Sequence, residues 1–324
     1  MPTAFVALDD RVLGVDVDRP DTTETLAETS PECIAASPAV PERLFLGTVD
    51  SGLLRSDDGG DTWRNVLVAG DRVTAVIVSP NDPDVVWAGT EPSAVYRSTD
   101  GGDSWQDRPS LTDLPSASSW SFPPRPHTHH VRWLAEAPTD HDTLYVAIEA
   151  GALVRTHDGG ETWLDRPSGS RRDTHTMATH PAEPDRLYVA AGDGYAESRD
   201  CGDTWLYPQD GLDHRYVWSV AVAPDDPETV VVSAANGPRQ AHTPSTAESY
   251  LYRRTDGGPW KVAMDGVPRP AGTVRGVLAT GERDFFVATN HGLFRSPDGA
   301  RWRAVDDEWG DAYGERVPRG LTVV

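Results

Sequence analysis

Short apolar runs separated by turn residues fill the chain, and they fall into sets of three. The first set is 33–37, 43–48 and 53–56; the second is 73–79, 85–90 and 94–98. The third is 131–137, 143–148 and 152–156, and the fourth is 174–180, 186–191 and 195–198. The fifth is 217–223, 229–234 and 250–254, and the sixth is 274–280, 284–289 and 293–296. The runs are too short for helices, and the first two of each set are almost continuously apolar. That pattern predicts strands covered on both faces. Each third run leads into a polar, glycine-rich stretch that ends on a tryptophan, at 63, 105, 163, 205, 260 and 302. The spacings are 42, 58, 42, 55 and 42, so a base period near 42 carries two inserts. One four-stranded sheet per repeat is the architecture that such a period predicts.

The polar stretch is itself a repeat. It reads Arg55-Ser56-Asp57-Asp58-Gly59-Gly60-Asp61-Thr62-Trp63, and returns at 97–105, 155–163 and 198–205, with shortened copies at 254–260 and 296–302. Glycine supplies positive φ, and the aspartate carboxylate bonds turn amides, so each copy predicts a hairpin turn. The Ser or Thr two residues before the Asp adds a second side-chain bond to the backbone. The Trp is an apolar plate suited to the seam between neighbouring sheets. The pattern Ser-x-Asp-x-Gly-x-Thr-Trp resembles the Asp-box, or bacterial neuraminidase repeat, of sialidases, sortilin-type receptors and photosystem II assembly propellers. The resemblance implies an all-β propeller in which these turns lie away from the ligand face. Asp58, Asp100, Asp158, Asp200, Asp256 and Asp298 are then fold residues, not acids or metal ligands.

The two chain ends complete the count. Residues 318–324 look like an innermost strand with nothing after it, while 4–8 and 12–17 look like the next two strands with nothing before them. Joined, they make a seventh blade and remove two open sheet edges. The expectation is a seven-bladed propeller over 1–324 as a single domain, with six blades and stray termini as the alternative. The acidic piece 18–28 is either the outer strand of the shared blade or a loop.

Composition changes the picture at one point. The formal net charge is −22, and Lys261 is the single lysine among 29 basic residues. Such a field repels phosphate backbones and anionic lipid, so nucleic-acid and membrane-surface partners are not expected. The acidic, lysine-poor balance looks like a halophile's; an ordinary acidic bacterial protein is the alternative. Cys33 and Cys201 fall in different repeats and imply no disulfide framework. The first residues lack a basic region and a long apolar stretch, and no run of 18 apolar residues occurs, so a soluble, cytoplasmic protein is expected.

In a propeller the connection into the innermost strand and the loop between the second and third strands share one face. The inserts 106–130 and 236–249 both fall there, over the mouth of the central channel. Long connections in compact folds are commonly functional. Aligning the innermost strands places Glu32, Thr74, Arg132, His175, Trp218, Arg275 and Arg319 in one column around that mouth. Arginine forks bind carboxylate, sulfate or phosphate. Arg132, Arg275 and Arg319 are therefore the candidate anion holders, with His175, Trp218 and Glu32 as further lining. Sialidases resemble this in holding a carboxylate with an arginine triad, but no sialidase-type Arg-Ile-Pro motif occurs near the N-terminus, so sialidase catalysis is not carried over. Acids near the same mouth are Asp9, Asp50, Glu91, Glu149 and Asp193, with Asn290 and His291 in the sixth unit. If the pocket is catalytic, as a hydrolase or lyase, Glu149, Asp193 and His175 are the proton-transfer candidates. His127, His129 and His130 are candidate metal ligands, with His175 or His242 completing a set. Trp120 and Phe122 either stack on a ligand or pack the insert onto the blades. No cofactor is expected. The leading expectation is a pocket for an anionic small molecule or glycan, and the alternative is a non-enzymatic platform that docks a protein.

Overall fold

The computed structural model describes residues 2–19, 21–68, 70–306 and 309–324, with the side chains of 310 and 311 left aside. Seven antiparallel sheets stand in a ring, and the chain is an all-β, seven-bladed propeller. From the axis outward, blade 1 is Pro31–Ser37, Val40–Thr48, Leu53–Ser56 and Arg64–Leu67. Blade 2 is Arg72–Val78, Val86–Glu91, Val95–Ser98 and Gln106–Asp107. Blades 3 and 4 have three strands each: Val131–Ala137, Asp140–Ile148 and Ala152–Thr156, then Thr174–His180, Glu183–Ala191 and Gly194–Ser198. Their outer strand is reduced to the single bridges Arg155–Leu164 and Glu197–Leu206. Blade 5 is Tyr216–Ala223, Asp226–Ala235, Ser249–Arg254 and Lys261–Val262, and blade 6 is Val277–Thr280, Phe285–Thr289, Gly292–Ser296 and Arg303–Ala304.

Blade 7 is built from both ends of the chain. Its inner strand is Gly320–Val323, followed outward by Thr3–Ala7, Arg11–Asp16 and Asp21–Ala27. Ala4 faces Val323 and Ala7 faces Gly320, and Thr3 and Val324 exchange backbone hydrogen bonds of 2.7 and 2.9 Å. The acidic segment therefore contains a paired outer strand. Successive inner strands pack against each other round the whole ring, including Gly320–Val323 against Pro31–Ser37.

The core is a set of seams between blades. Each of the six repeat tryptophans packs in a cluster shared by its own blade and the one before it. Trp63 joins Phe5 and Val12 of blade 7 to Ile34 and Leu46 of blade 1, and Trp302 joins Val231 of blade 5 to Phe285 and Val287 of blade 6. The second strands carry buried apolar runs such as Leu44–Leu46, Leu144–Ile148 and Leu187–Ala191, where both faces meet a neighbouring blade.

The repeated turn shows why its residues recur. In the first copy the Ser56 hydroxyl donates to Asp58 (2.8 Å) and accepts from the Gly60 amide (2.8 Å). Asp58 also accepts from the Thr62 amide (2.9 Å) and hydroxyl (2.6 Å). The same bonds recur at Asp100, Asp158 and Asp200. Gly59 and Gly60 sit at φ 72° and 100°; in the fourth copy Cys201 takes the first glycine's place at φ 56°. A guanidinium from one blade then grips the next blade's turn. Arg55 donates to the Gly101 carbonyl (2.6 Å) and pairs with Asp103 (2.8 Å), and Arg155 donates to the Cys201 carbonyl (2.6 Å) and pairs with Asp203.

The hydroxyl and amide bonds hold the carboxyls of Asp58, Asp100 and Asp158 down at about 2, from an ordinary value of 3.8. A carboxyl depressed in the folded state adds stability above its unfolded value, and that stability is lost as pH falls through the folded value. Asp100→Ala is therefore expected to lower the melting temperature at pH 7. The deficit should shrink between pH 4 and pH 2, where wild type loses the same bonds. A deficit equal at both ends of that range would contradict the role given to Asp100.

The inserts depart from simple loops. Segment 106–130 opens with blade 2's outer strand, then two turns of 3-10 helix, Leu111–Asp113 and Pro115–Ser119. Leu111 and Trp120 pack into the seam between blades 2 and 3. Segment 236–249 carries a short helix, Pro238–His242, and the Ala241 carbonyl accepts the Arg275 amide (2.8 Å). The inner strand of blade 6 starts at Val277 and not at 274; the Val274 amide donates to Asn290 Oδ1 (2.9 Å) and the Gly276 amide to Ser233 Oγ (2.8 Å).

Candidate functional site

Over the axis the inner strands frame a cavity of about 390 Å³. Its wall includes Glu32, Thr74, Arg132, Trp218, Arg275 and Arg319, six of the seven residues of the sequence column. His175, the seventh, is 1% exposed and lies behind the wall, its ring 4.7 Å from Trp218 and 4.9 Å from Tyr216. Both inserts reach the cavity, through Phe122, Pro123, Pro124, Arg125 and His130 from the first and Pro238 and His242 from the second.

The arginines differ in how they are paired. Arg132 lies 3.4 Å from Glu149, and its guanidinium stands 4.5 Å from the Trp218 ring centre. Arg275 is 1% exposed and stands 4.4 Å from the same ring. Its Nη1 donates to the Pro318 carbonyl (2.6 Å) and its Nε to His242 Nδ1 (3.2 Å). Among the described residues no carboxylate pairs with Arg275 or with Arg319. Burial, then Arg319 and Arg132, disfavour the Arg275 charge. An arginine stays protonated in a protein, so Arg275 keeps its charge against the neighbouring guanidinium groups.

A hydrogen-bond relay fixes one donor. Because His242 Nδ1 accepts from Arg275, its Nε2 carries the proton and donates to Tyr216 Oη at 3.0 Å. Burial, Arg275, His175 and Arg132 together push His242 down to about 2, so it is neutral. The Tyr216 hydroxyl is left with its own proton to give to the cavity. Burial, Glu149 and Asp173 raise the Tyr216 pKa, which keeps that proton in place.

The carboxylates mostly answer other cations. Glu149, 12% exposed, takes His130 Nε2 at 2.9 Å. Burial alone would raise its pKa, but the His130 hydrogen bond, Arg132 and His175 bring it down to about 2. A group ionised at every working pH is a poor general acid and a weak base. Glu91 is held by both nitrogens of the Arg125 fork, at 2.7 and 2.6 Å, and Glu32 pairs with Arg72. Asp193 pairs with Arg171 at 2.7 Å, is 62% exposed, and is not part of the cavity wall. Asp9 lies 3.9 Å from Arg316, and Asn290 serves the backbone of 272, 274 and 314.

The three insert histidines do not converge. His130 turns to Glu149, His129 packs edge-on against Trp120 (5.6 Å), and His127 is exposed. Phe122 packs edge-on on His130 (4.7 Å) and under the Arg125 guanidinium (4.7 Å). Trp120 and Phe122 thus pack the insert down. Trp218, with two guanidinium groups and two imidazoles around its ring, spaces the charges of the wall.

Sequence reasoning missed Arg72, Asp173 and Tyr216. The signal was present: they stand two residues before Thr74, His175 and Trp218. Residues two apart on a strand share a side, so the column continues one layer up.

No protein-family model matches the sequence, and no curated protein matches it. Solved structures do resemble the fold. A GH74 enzyme of Niastella koreensis superposes with TM-score 0.71 at 17% identity, over 94% of this chain and 52% of that one. A GH74 xyloglucanase of Xanthomonas campestris gives 0.69 at 17%, again over 94% and 52%. YCF48 bound to a D1 peptide gives 0.59 at 16%, over 95% of this chain and 84% of that one. The chain spans about half the length of the two GH74 chains. Identities this low show the propeller fold alone. Among the described residues no helix is long and apolar enough to cross a membrane.

Proposed function

We propose that the cavity binds an anionic small molecule or an acidic glycan. The observation that carries this is Arg275: a fully buried guanidinium, without a carboxylate partner, in the wall of a concave cavity. Arg132 and Arg319 add two further forks and Tyr216 adds a neutral donor, a set that suits a carboxylate with neighbouring hydroxyls. The cavity's enclosure by both inserts favours a small ligand over a flat protein partner. The depressed Glu149 and the distant Asp193 favour binding over acid–base hydrolysis. The hydrogen-bonded turns support a place among Asp-box propellers. Docking of a protein segment, as YCF48 docks a D1 peptide, is the second reading; an extended peptide ending in a carboxylate would use the same arginines.

The test is calorimetric titration with glucuronate, citrate, sulfate and phosphate. Arg319 is exposed and has no ion-pair partner among the described residues, so Arg319→Ala should leave the melting temperature within error. It should weaken the best-bound anion roughly tenfold, as loss of one charged contact does. Equal binding by wild type and variant for every probe would remove the proposal.

A further inference from the structure

Beside the arginine wall lies a second cluster of different chemistry. Glu149, Asp173 and His175 each bring a ligand atom to one spot, all within 4.8 Å of one another. Two carboxylates near each other mean little alone. The imidazole adds an independent observation. His175 is 1% exposed, and its Nδ1 lies 2.7 Å from the Val217 carbonyl, so that nitrogen carries the proton and donates. Its Nε2 is buried and has no hydrogen-bond partner. The nearest acid atom is Asp173 Oδ2 at 3.6 Å, too long for a hydrogen bond. A histidine whose far nitrogen is anchored on a backbone carbonyl, with its near lone pair aimed at carboxylates, is the arrangement that metal-ligating histidines adopt.

We propose that Glu149, Asp173 and His175 form a site for a divalent first-row transition cation, facing the cavity. One imidazole nitrogen with two carboxylate oxygens suits zinc, manganese or iron(II), and a harder ion such as magnesium less well. Glu149 gives Oε2 to His130, and its Oε1 carries no hydrogen bond among the described residues. Bonds of about 2.0–2.2 Å bring neighbouring ligand atoms to about 3.3 Å in a tetrahedral site. The donors must therefore close in. Asp173 accepts the Ala150 amide on Oδ1 (3.0 Å), which leaves Oδ2, 3.6 Å from His175 Nε2, to turn to the cation. Arg132 lies 3.4 Å from Glu149 Oε2 and opposes the cation, which limits the affinity. Water would fill the remaining coordination positions. This site stands whether or not the arginine wall binds an anion.

The test is titration of chelator-stripped protein with Zn²⁺ alone, in a buffer that does not bind zinc. One equivalent should bind to wild type. Asp173→Asn keeps the shape of this half-buried side chain and an acceptor oxygen for the Ala150 amide, and should weaken binding at least tenfold. His175→Ala should do the same, provided its circular dichroism matches wild type. His127→Ala, at an exposed histidine, should bind zinc as wild type does. No binding by wild type overturns the proposal, and so does binding that survives Asp173→Asn and is lost in His127→Ala.

Discussion

Glu197→Ala is expected to cost about 3–5 kcal/mol of folding stability, the usual result of breaking one partner out of a buried ion cluster. Glu197 is 2% exposed, in the third strand of blade 4. Its Oε2 accepts from Arg186 (3.0 Å), from Arg254 of blade 5 (3.2 Å) and from the Tyr195 hydroxyl (3.1 Å). Arg186 would keep Glu228 and Glu183. Arg254, itself 7% exposed, would keep only the carbonyls of Gly257 and Gly258. The loss therefore falls on the seam between blades 4 and 5, where one guanidinium is left without a counter-charge. Urea unfolding should report it as a lower midpoint with an unchanged slope. Glu197→Gln retains one acceptor oxygen and should cost less. Burial opposes the Glu197 charge, but Arg186 and Arg254 outweigh it and depress the pKa below 4.5. The contribution is thus complete above that value and fades as pH falls through the lower folded value, so the deficit of Glu197→Ala should narrow in acid. A deficit under about 1 kcal/mol at pH 7 would mean the cluster is no better than a surface pair.

The second large effect concerns binding. Arg132→Ala with Arg275→Ala should weaken the anion found by calorimetry at least a hundredfold, since two charged hydrogen-bonding groups are worth about 3 kcal/mol or more. The pair will not be silent in folding. Arg275 Nη1 bonds the carbonyl of Pro318, two residues before the strand that closes the ring, and its Nε bonds His242. Removing it leaves buried acceptors unmet, at about 1–3 kcal/mol. Arg132→Ala alone should be milder, because Glu149 keeps His130. Comparing the double variant with Arg319→Ala separates loss of charge from loss of structure: Arg319→Ala removes a charge without a stability penalty. A folded double variant that binds as wild type would end the anion reading.

The ring was legible because its signals are local and repeated. In the four full turns the Asp bonds a Thr or Ser four positions away, so the spacing within nine residues reports them directly. The shared blade was legible because an unpaired inner strand at one end and unpaired outer strands at the other complete each other. The column at the mouth was legible because strand period and Pro-marked turns set the register. What the sequence could not show is which carboxylate answers which arginine. Arg132 and Glu149 are neighbours across one sheet, but Arg275 reaches Pro318 and His242, in the next blade and in an insert. His175 occupies its place in the column yet turns behind Trp218, because its imidazole bonds the backbone of the next blade at Val217. The insert histidines share an extended segment, but His129 and His130 are claimed by Trp120 and Glu149. Arg275 to Pro318 and His175 to Val217 are contacts more than forty residues apart along the chain, beyond any local pattern.

The central claim is that positive charge gathered at the axial opening is there to hold an anion. Crystals soaked in selenate, with data collected at the selenium edge, test it most directly. An anomalous peak within hydrogen-bonding reach of Arg132, Arg275 and Arg319, absent from crystals of the Arg132→Ala/Arg275→Ala variant, is the result expected. Selenate bound elsewhere on the surface, with no peak among these three side chains, would contradict it.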